Sequence, residues 1–219
     1  EKNIIKNLDL SIEKGSFWGI AGPSGCGKSS LIKAVCKLEK CSGSVFINNM
    51  DILSLSRKDL SRIIALVPQN HFLIAGTILE NICYGLEQQP SDKEVKEALT
   101  KANLYDFVNS LPEGIHTKIS EGGNNLSGGQ RQRIAIAVFF YEAEILILDE
   151  ATSALDNTSE RFIQNEIEQQ KKENNMTILS IAHRLTHPEK LDNIIVMDHG
   201  QVVQSGKYQE LISQEGIFS

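Results

Sequence analysis

The sequence has no long apolar segment. Its longest uninterrupted hydrophobic run covers residues 134–141, far short of the roughly 20 residues that a membrane-spanning helix needs. Cysteine is scarce: the chain of 219 residues contains four and no CxxC pair, so we expect neither a zinc site of common spacing nor a disulfide framework. Basic residues are also in deficit, with 22 against 28 acidic ones and a formal net charge of -6. This balance argues against a general binder of nucleic acid or of anionic membranes.

What is present is the composition of an ordinary globular protein, with 41% hydrophobic and 23% charged residues. The first residues lack the pattern of a signal peptide, so we expect none. Together with the few cysteines, this predicts a reducing, cytosolic compartment. The chain starts at Glu1 rather than at methionine, inside a strand-like stretch, so we expect an excised piece of a longer protein.

Short runs rich in Ile, Leu and Val predict strands at residues 17–21, 63–67, 145–148, 177–181 and 194–197. Because these runs do not alternate with polar residues, they favour a parallel sheet covered by helices. Residues 45–47 and the alternating segment 8–12 predict two further strands at the periphery. Helices are predicted at 29–35, 78–82, 93–102, 104–111 and 130–141, with no strand between residues 69 and 141. This pattern indicates an α/β domain with a helical insertion.

The segment "GPSGCGKSS" contains the pattern Gly22-x-x-x-x-Gly27-Lys28-Ser29 between a predicted strand and a predicted helix. Its glycines allow backbone N–H groups to wrap around phosphate oxygens, and the helix adds its positive N-terminal end. Lys28 can reach the β- and γ-phosphates, and the Ser29 hydroxyl can bind Mg²⁺. The alternative is a plain glycine turn. The predicted phosphate-binding residues are Gly22, Pro23, Ser24, Gly25, Cys26, Gly27, Lys28, Ser29 and Ser30, with Cys26 acting only as a small residue.

Two carboxylates, Asp149 and Glu150, follow the apolar run "ILIL". Ligands of open α/β sheets bind at the carboxyl ends of the strands. We therefore expect Asp149 to hold Mg²⁺ and Glu150 to orient or deprotonate an attacking water. The alternative is a solvated strand end without a catalytic role.

The segment "LSGGQ", residues 126–130, opens a predicted helix with a glycine pair. Each glycine costs a helix about 1 kcal/mol relative to alanine. Gly128 and Gly129 leave the front of the helix without side chains, and this arrangement requires an explanation.

The glycine-rich loop, "LSGGQ", "ILILDE" and "SALD", in this order, resemble the ATP-binding cassette (ABC) ATPases over essentially the whole chain. The segments "VPQNHFLIAGTILENI" and "DEATSALD" are most similar to the exporter type, which includes multidrug and half-transporters. The resemblance implies a P-loop NTPase (RecA-like) core with a mostly parallel sheet, a small peripheral antiparallel β part and a helical subdomain. It places the core lobe at residues 1–71 and 142–219 and the helical subdomain at 72–141, with the transmembrane domain outside this chain.

The resemblance also implies the roles of individual residues. Gln69 would sense Mg²⁺ and the γ-phosphate, Glu150 would be the catalytic base, and His183 would contact the γ-phosphate. In a head-to-tail dimer of nucleotide-binding domains, Asp156 would reach across the interface. Ser127, Gly128, Gly129 and Gln130 would face ATP on the opposite P-loop, so that phosphate would cap the bare helix front.

The implied cofactors are ATP and Mg²⁺. The implied partners are a second nucleotide-binding domain, in a homodimer or a pseudo-symmetric heterodimer, and a transmembrane domain that docks through cytoplasmic coupling helices; no nucleic acid is expected. The implied location is the cytosolic face of a membrane. We expect His71, Phe72 and Leu73 to touch the membrane domain, with packing of Phe72 inside the helical insertion as the alternative.

The function that the resemblance favours is an ATP-hydrolysing motor of an exporter. A soluble, non-transport ABC ATPase and an ATP-binding regulatory domain are the alternatives. Retention of Lys28, Asp149, Glu150 and His183 argues against the regulatory alternative. Exporters of this type stack an aromatic residue on adenine, and its expected place lies upstream of Glu1.

Overall fold

A computed structural model describes residues 4–69, 73–86, 88–138, 143–151, 155–181 and 187–213. The predictions for His71, Phe72 and His183 lie outside these residues. The chain divides into two compact units. The first consists of Glu1–Leu66, Glu144–Glu150 and Lys171–Ser219, and the second of Val67–Ala143 and Ala151–Gln170.

The strands, in chain order, are β1 (Phe17–Ala21), β2 (Phe46–Ile47), β3 (Met50–Asp51), β4 (Ile64–Val67), β5 (Gly76–Thr77), β6 (Lys118–Ile119), β7 (Ile145–Asp149), β8 (Thr177–Ile181), β9 (Asn193–Asp198) and β10 (Gln201–Gly206). The α-helices are α1 (Lys28–Val35), α2 (Arg57–Ile63), α3 (Ile78–Ile82), α4 (Asp92–Lys101), α5 (Tyr105–Ser110), α6 (Gly128–Ala137), α7 (Asn157–Asn174) and α8 (Tyr208–Ile212).

A six-stranded sheet in the order β10-β9-β1-β8-β7-β4 forms the centre of the first unit. Strand β1 pairs in parallel with β8 and β9, β7 pairs in parallel with β8, and β10 is antiparallel to β9. Its core contains Ile20, Ile147, Leu179 and Ile195, all nearly inaccessible to solvent. Because β1, β7 and β8 are parallel, their carboxyl ends meet at one edge of the sheet.

The five main strands predicted from apolar runs are all present, with bounds shifted by at most one residue at either end. The peripheral strand predicted at 45–47 is the short β2, which forms an antiparallel pair with β3. The strand predicted at 8–12 is wrong: the structure describes all five residues and assigns no strand to them. Their alternation is real, because Leu8, Leu10 and Ile12 pack against the core while Asp9 and Ser11 are exposed, but no sheet ladder accompanies it.

The second unit is mainly helical. Helices α3 to α6 enclose a core that includes Ile78, Ile82, Leu104 and Ile134. The prediction that residues 69–141 contain no strand is wrong, since β5 and β6 form a two-residue antiparallel pair. Leu73 is only 3% exposed and belongs to this core, so it does not offer the docking surface expected of it. In the described part of the chain, no helix combines the length and apolar character needed to cross a bilayer.

Candidate functional site

The loop between β1 and α1 has a backbone that only glycine supports easily. Gly22 and Gly27 have φ angles of +144° and +111°, a region that side chains with a Cβ rarely adopt. A Cβ at Gly22 would also lie 2.1 Å from the carbonyl oxygen of Met197. The loop therefore approaches the end of β9 closely, and its shape requires glycine at position 22.

The helix that follows this loop starts without a side-chain cap. Gly27 is the N-cap residue of α1 and has no side chain that could accept a hydrogen bond from the first turn, so the first N–H groups and the positive end of the helix dipole remain available to an anion. Lys28, Ser29 and Ser30 form that first turn.

The Lys28 side chain lies inside the loop. It is 6% exposed, and its Nζ donates to the carbonyl oxygens of Gly22 at 2.7 Å and Pro23 at 3.0 Å, with the Sγ of Cys26 at 3.8 Å. A buried ammonium is costly unless it is well paired. Carbonyl oxygens offer partial charges only, so a phosphate group would compensate this cation better than the loop does.

Asp149, the last residue of β7, meets the first turn of α1 at the carboxyl edge of the sheet, where the Ser29 hydroxyl donates to its carboxylate. Burial and the charge of neighbouring Glu150 raise the pKa of Asp149, and the Ser29 hydrogen bond and the Lys28 charge oppose the rise. A half-buried carboxylate next to a hydroxyl supplies the hard oxygen ligands that Mg²⁺ prefers.

Such a cation would need ligands beyond these two. Among the residues that the structure describes, no cluster of three or more His, Cys, Asp or Glu side chains could hold a metal by itself. Mg²⁺ commonly combines one or two protein oxygens with phosphate oxygens and water. Ser29 and Asp149 fit that kind of site.

Glu150 adopts a left-handed backbone conformation, with φ +51°. This conformation is uncommon for a residue with a side chain and costs roughly 1–2 kcal/mol. The Glu150 N–H donates to the carbonyl oxygen of Ile181, at the end of β8, at 2.9 Å. This bond fixes the turn that carries the carboxylate beyond the strand end, next to Asp149.

In the second unit, a capping box opens helix α6. The Ser127 hydroxyl accepts from the Gln130 N–H at 3.2 Å, and the Gln130 side-chain oxygen accepts from the Ser127 N–H at 2.8 Å. Two donors of the helix front are therefore already satisfied, and the front is bare only at the glycine pair. The N–H groups of Gly128 and Gly129 lie between the two bonded ones and outside both bonds.

Asp156 caps helix α7 in the second unit. Its Oδ1 accepts from the N–H groups of Thr158 and Ser159 at 3.1 and 2.9 Å, and its Oδ2 accepts from the Ser159 hydroxyl at 2.8 Å. Hydrogen bonds from Ser159 lower the pKa of Asp156, so it is a carboxylate at neutral pH. Gln69 follows β4 by two residues and also belongs to the second unit.

The structure thus brings the loop 22–30, Asp149 and Glu150 together in the first unit. Gln69, Ser127 to Gln130 and Asp156 belong to the second unit.

A family model described as "ABC transporter" matches residues 5–153. The chain belongs to the ABC transporter family.

Several curated ABC proteins resemble the chain over nearly its whole length. The ATP-dependent lipid A-core flippase of Francisella novicida is 41% identical over all of this chain and 37% of its own length. The heterocyst differentiation ATP-binding protein HepA of Nostoc sp. is 41% identical over 97% of this chain and 35% of its own. Multidrug resistance protein 1 of Entamoeba histolytica is 43% identical over 99% of this chain and 17% of its own length. The chain therefore spans about a third or less of these relatives.

A solved structure of a bacterial Atm1-family ABC exporter with ATP bound superimposes with a TM-score of 0.93, at 34% identity, over 98% of this chain and 37% of that one. The predicted resemblance to exporter-type ABC nucleotide-binding domains and the predicted P-loop fold class are confirmed. The chain is an ATPase domain of the ABC type.

Sequence reasoning missed two sets of supporting residues in this ABC domain. The turn between β9 and β10 supports the phosphate loop, because the Gly200 N–H donates to the Cys26 carbonyl at 2.9 Å. Arg131 and Arg133 donate to main-chain carbonyls around the "LSGGQ" segment. The residues "QRQR" follow the glycines in the sequence, but nothing in that pattern indicates carbonyl partners.

Proposed function

We propose that this chain is the ATP-hydrolysing motor domain of an ABC exporter, and that two such domains bind two Mg-ATP molecules head to tail to drive transport across a membrane. The observation that carries the proposal is the meeting of the phosphate loop with Asp149 and Glu150 at the carboxyl edge of the sheet. This arrangement places a buried ammonium, open helix N–H groups, a cation-binding pair and a further carboxylate on one unit.

In this proposal the first unit holds the triphosphate. Lys28 exchanges its bonds to the Gly22 and Pro23 carbonyls for phosphate oxygens, which carry full negative charge and therefore bind an ammonium more strongly. The uncapped N–H groups of α1 add the helix dipole to this attraction. Ser29 and Asp149 hold Mg²⁺, which supplies charge neutralisation to the β- and γ-phosphates when it is bound.

Glu150 then acts on the attacking water. Its left-handed turn carries the carboxylate past the end of β7, and a carboxylate at this place orients the water and accepts its proton. Gln69 and His183 are proposed to sense the γ-phosphate, on the strength of the family motif alone.

The second unit is proposed to act on the nucleotide of another copy. The capping box of α6 leaves the N–H groups of Gly128 and Gly129 for a ligand, and a γ-phosphate is an acceptor of suitable charge. Asp156 is proposed to lie at the dimer interface, where its capping of α7 would hold the turn in place.

The proposed wider assembly follows the relatives. The flippase and multidrug resistance proteins are about three to six times longer than the matched region, which leaves room for a membrane domain. We infer that this domain docks on the chain through coupling helices, and that the chain lies at the cytosolic face of a membrane.

A mixing experiment tests the head-to-tail mechanism. Lys28→Ala disables the phosphate loop of a chain, and Gly128→Asp places a negative charge where the γ-phosphate would meet the opposite chain. Each variant alone should lack ATPase activity. In a mixture, heterodimers combine both defects in one site and keep the other intact, so activity should recover to at most about a quarter of the normal value.

The control mixture pairs Lys28→Ala with the double variant Lys28→Ala/Gly128→Asp, which has no intact phosphate loop and should stay inactive. Monomeric Gly128→Asp should bind ATP with normal affinity, because the "LSGGQ" segment is proposed to contact only the nucleotide of another copy. If Gly128→Asp alone abolishes ATP binding by the monomer, or if the first mixture stays inactive, the head-to-tail mechanism is wrong.

A further inference from the structure

The start of helix α6 contains four consecutive peptide groups, and the two outer groups differ from the two inner ones in their hydrogen bonds. The two outer groups are the peptide bonds Leu126–Ser127 and Gly129–Gln130. The two inner ones carry the N–H groups of Gly128 and Gly129. The outer groups are bonded at both their N–H and their C=O ends.

The Leu126–Ser127 peptide group is bonded at both ends. Its N–H donates to the Gln130 side-chain oxygen at 2.8 Å, and its carbonyl accepts from Arg131 Nη1 at 2.7 Å. A rotation of this peptide plane would break both bonds.

The Gly129–Gln130 peptide group has the same arrangement. Its N–H donates to the Ser127 hydroxyl at 3.2 Å, and its carbonyl accepts from Arg133 Nε at 3.3 Å. The two inner groups are therefore held between two peptide planes whose orientation is fixed.

Both arginines are themselves anchored within the second unit. Arg131 Nη1 also donates to the Gly123 carbonyl at 3.3 Å, and its side chain fills the space where a Cβ of Gly123 would lie, with carbon atoms 2.8 and 2.9 Å from that position. Arg133 Nη1 donates to the Asn103 carbonyl at 2.8 Å, and the side chain is half-buried. Each guanidinium group is thus also bound to a carbonyl outside the "LSGGQ" segment, and this second bond restrains its position.

We propose that Arg131 and Arg133 are positioning residues that aim the N–H groups of Gly128 and Gly129 at a phosphate, through the two peptide planes on either side. The inference rests on the proposed function of the "LSGGQ" segment. Two adjacent glycines have the greatest backbone freedom of any residue pair, so their N–H directions need support from outside. Arginine suits this role because its planar guanidinium holds its N–H donors in fixed directions, whereas the donors of a lysine ammonium rotate.

The test uses Arg131→Lys and Arg133→Lys, which keep the charge and remove the planar guanidinium. Arg57→Lys, at an exposed arginine on α2, is the matched control.

In protein labelled with ¹⁵N-glycine, both test variants should shift the amide signals of Gly128 and Gly129 and speed their hydrogen exchange. ATP-driven dimerisation, measured in a Glu150→Gln background, should weaken about tenfold, the effect of losing a hydrogen bond from a charged donor. The affinity of the monomer for ATP should not change.

Other outcomes separate this inference from the proposed function. If both lysine variants leave the two glycine amide signals and the dimerisation constant unchanged, the positioning role is wrong. A lower melting temperature with an unchanged dimerisation constant would assign the arginines a purely structural role and overturn the inference as well. If Gly128→Asp dimerises normally with ATP, the proposed function of the segment itself fails, whatever the arginine variants show.

Discussion

Two helices of this chain begin at glycine-rich segments, α1 in the first unit and α6 in the second, and their N-termini are built differently. Helix α1 has a left-handed glycine as its N-cap and no side-chain cap. Helix α6 has a complete capping box between Ser127 and Gln130. The front of α1 also carries a buried ammonium, that of Lys28, whereas the first turn of α6 consists of two glycines and a glutamine.

The difference indicates a division of labour between the helices. Helix α1 leaves its first donors unsatisfied and adds a positive charge, so it can bind an anion alone and gains most from doing so. Helix α6 satisfies two of its donors internally through its capping box and therefore depends less on a ligand at its front. It offers two N–H groups and no charged side chain in its first turn, which suits a second contact to a phosphate that is already bound elsewhere.

The largest effect is expected at the front of α1. Lys28→Ala should abolish ATP turnover and weaken ATP binding at least tenfold, because the phosphate charges lose their main partner in a buried place. Titration with labelled ATP measures the affinity. Lys33→Ala, five residues further along the same helix in an exposed ion pair with Glu39, is the control and should bind normally. Normal ATP affinity in Lys28→Ala would show that the Lys28 ammonium does not contribute to binding at the front of α1.

A second prediction separates binding from chemistry within the first unit. Glu150→Gln should hydrolyse ATP at least about a hundredfold more slowly, because the amide cannot accept the proton of water. It should bind ATP normally and accumulate as a dimer, visible by size-exclusion chromatography. Glu144→Gln, at the opposite end of β7, is the matched control. Near-normal turnover by Glu150→Gln would refute the role given to this carboxylate.

The strands and the phosphate loop could be predicted because their signal is local. Buried strands such as Ile145–Asp149 appear as uninterrupted apolar runs, and the loop 22–30 has fixed spacing. Helix α7 escaped prediction although it has 18 residues, because its buried face consists of Ser159, Ile163, Ile167 and Gln170. Half of that face is polar, so the hydrophobic periodicity is too weak to detect.

Contacts that use the main chain could not be predicted either. Arg131 and Arg133 bind carbonyl oxygens, which every residue carries, so no residue type identifies the partner. Strands β5 and β6 have two residues each and include Gly76, which gives no alternation to recognise. The Ser-x-x-Gln spacing of residues 127–130 is that of a capping box, but the glycine pair between the two residues fits a phosphate-binding segment equally well.

A third prediction compares the caps directly. Ser127→Ala should destabilise the protein by about 1 kcal/mol, the usual effect of losing a helix N-cap, and should leave ATP binding by the monomer unchanged. Ser127→Thr keeps a hydroxyl cap and is the control. Gly27→Ala should instead impair ATP binding, because alanine is strained at φ +111°. Thermal unfolding and ATP titration of the three variants check both halves, and a loss of monomer binding in Ser127→Ala would contradict the division of labour.

The smallest expected effect concerns Asp149, which contacts the first turn of α1, and this effect depends on pH. Burial and the Glu150 charge raise the pKa of Asp149, so its ionised form costs folding stability above that pKa, and the cost decreases as the pH falls from there towards the ordinary pKa of an aspartate. At neutral pH, Asp149→Asn should therefore raise the melting temperature of the nucleotide-free protein by a few degrees or less, while it weakens Mg²⁺-dependent binding of ATP.

The raised pKa also sets the acid limit of Mg²⁺ binding, because protons compete with the cation for this carboxylate. In the normal chain, the gain in ATP affinity that Mg²⁺ produces should begin to fall at a higher pH than an ordinary aspartate would give. In Asp149→Asn the remaining effect of Mg²⁺ should not depend on pH in that range. ATP titrations with and without Mg²⁺ across acidic pH measure both. Because helix α6 is proposed to act on the nucleotide of another copy, Gly128→Asp in its monomeric form should keep the normal pH profile, and a shifted profile in that variant would show that the two helix fronts do not act separately.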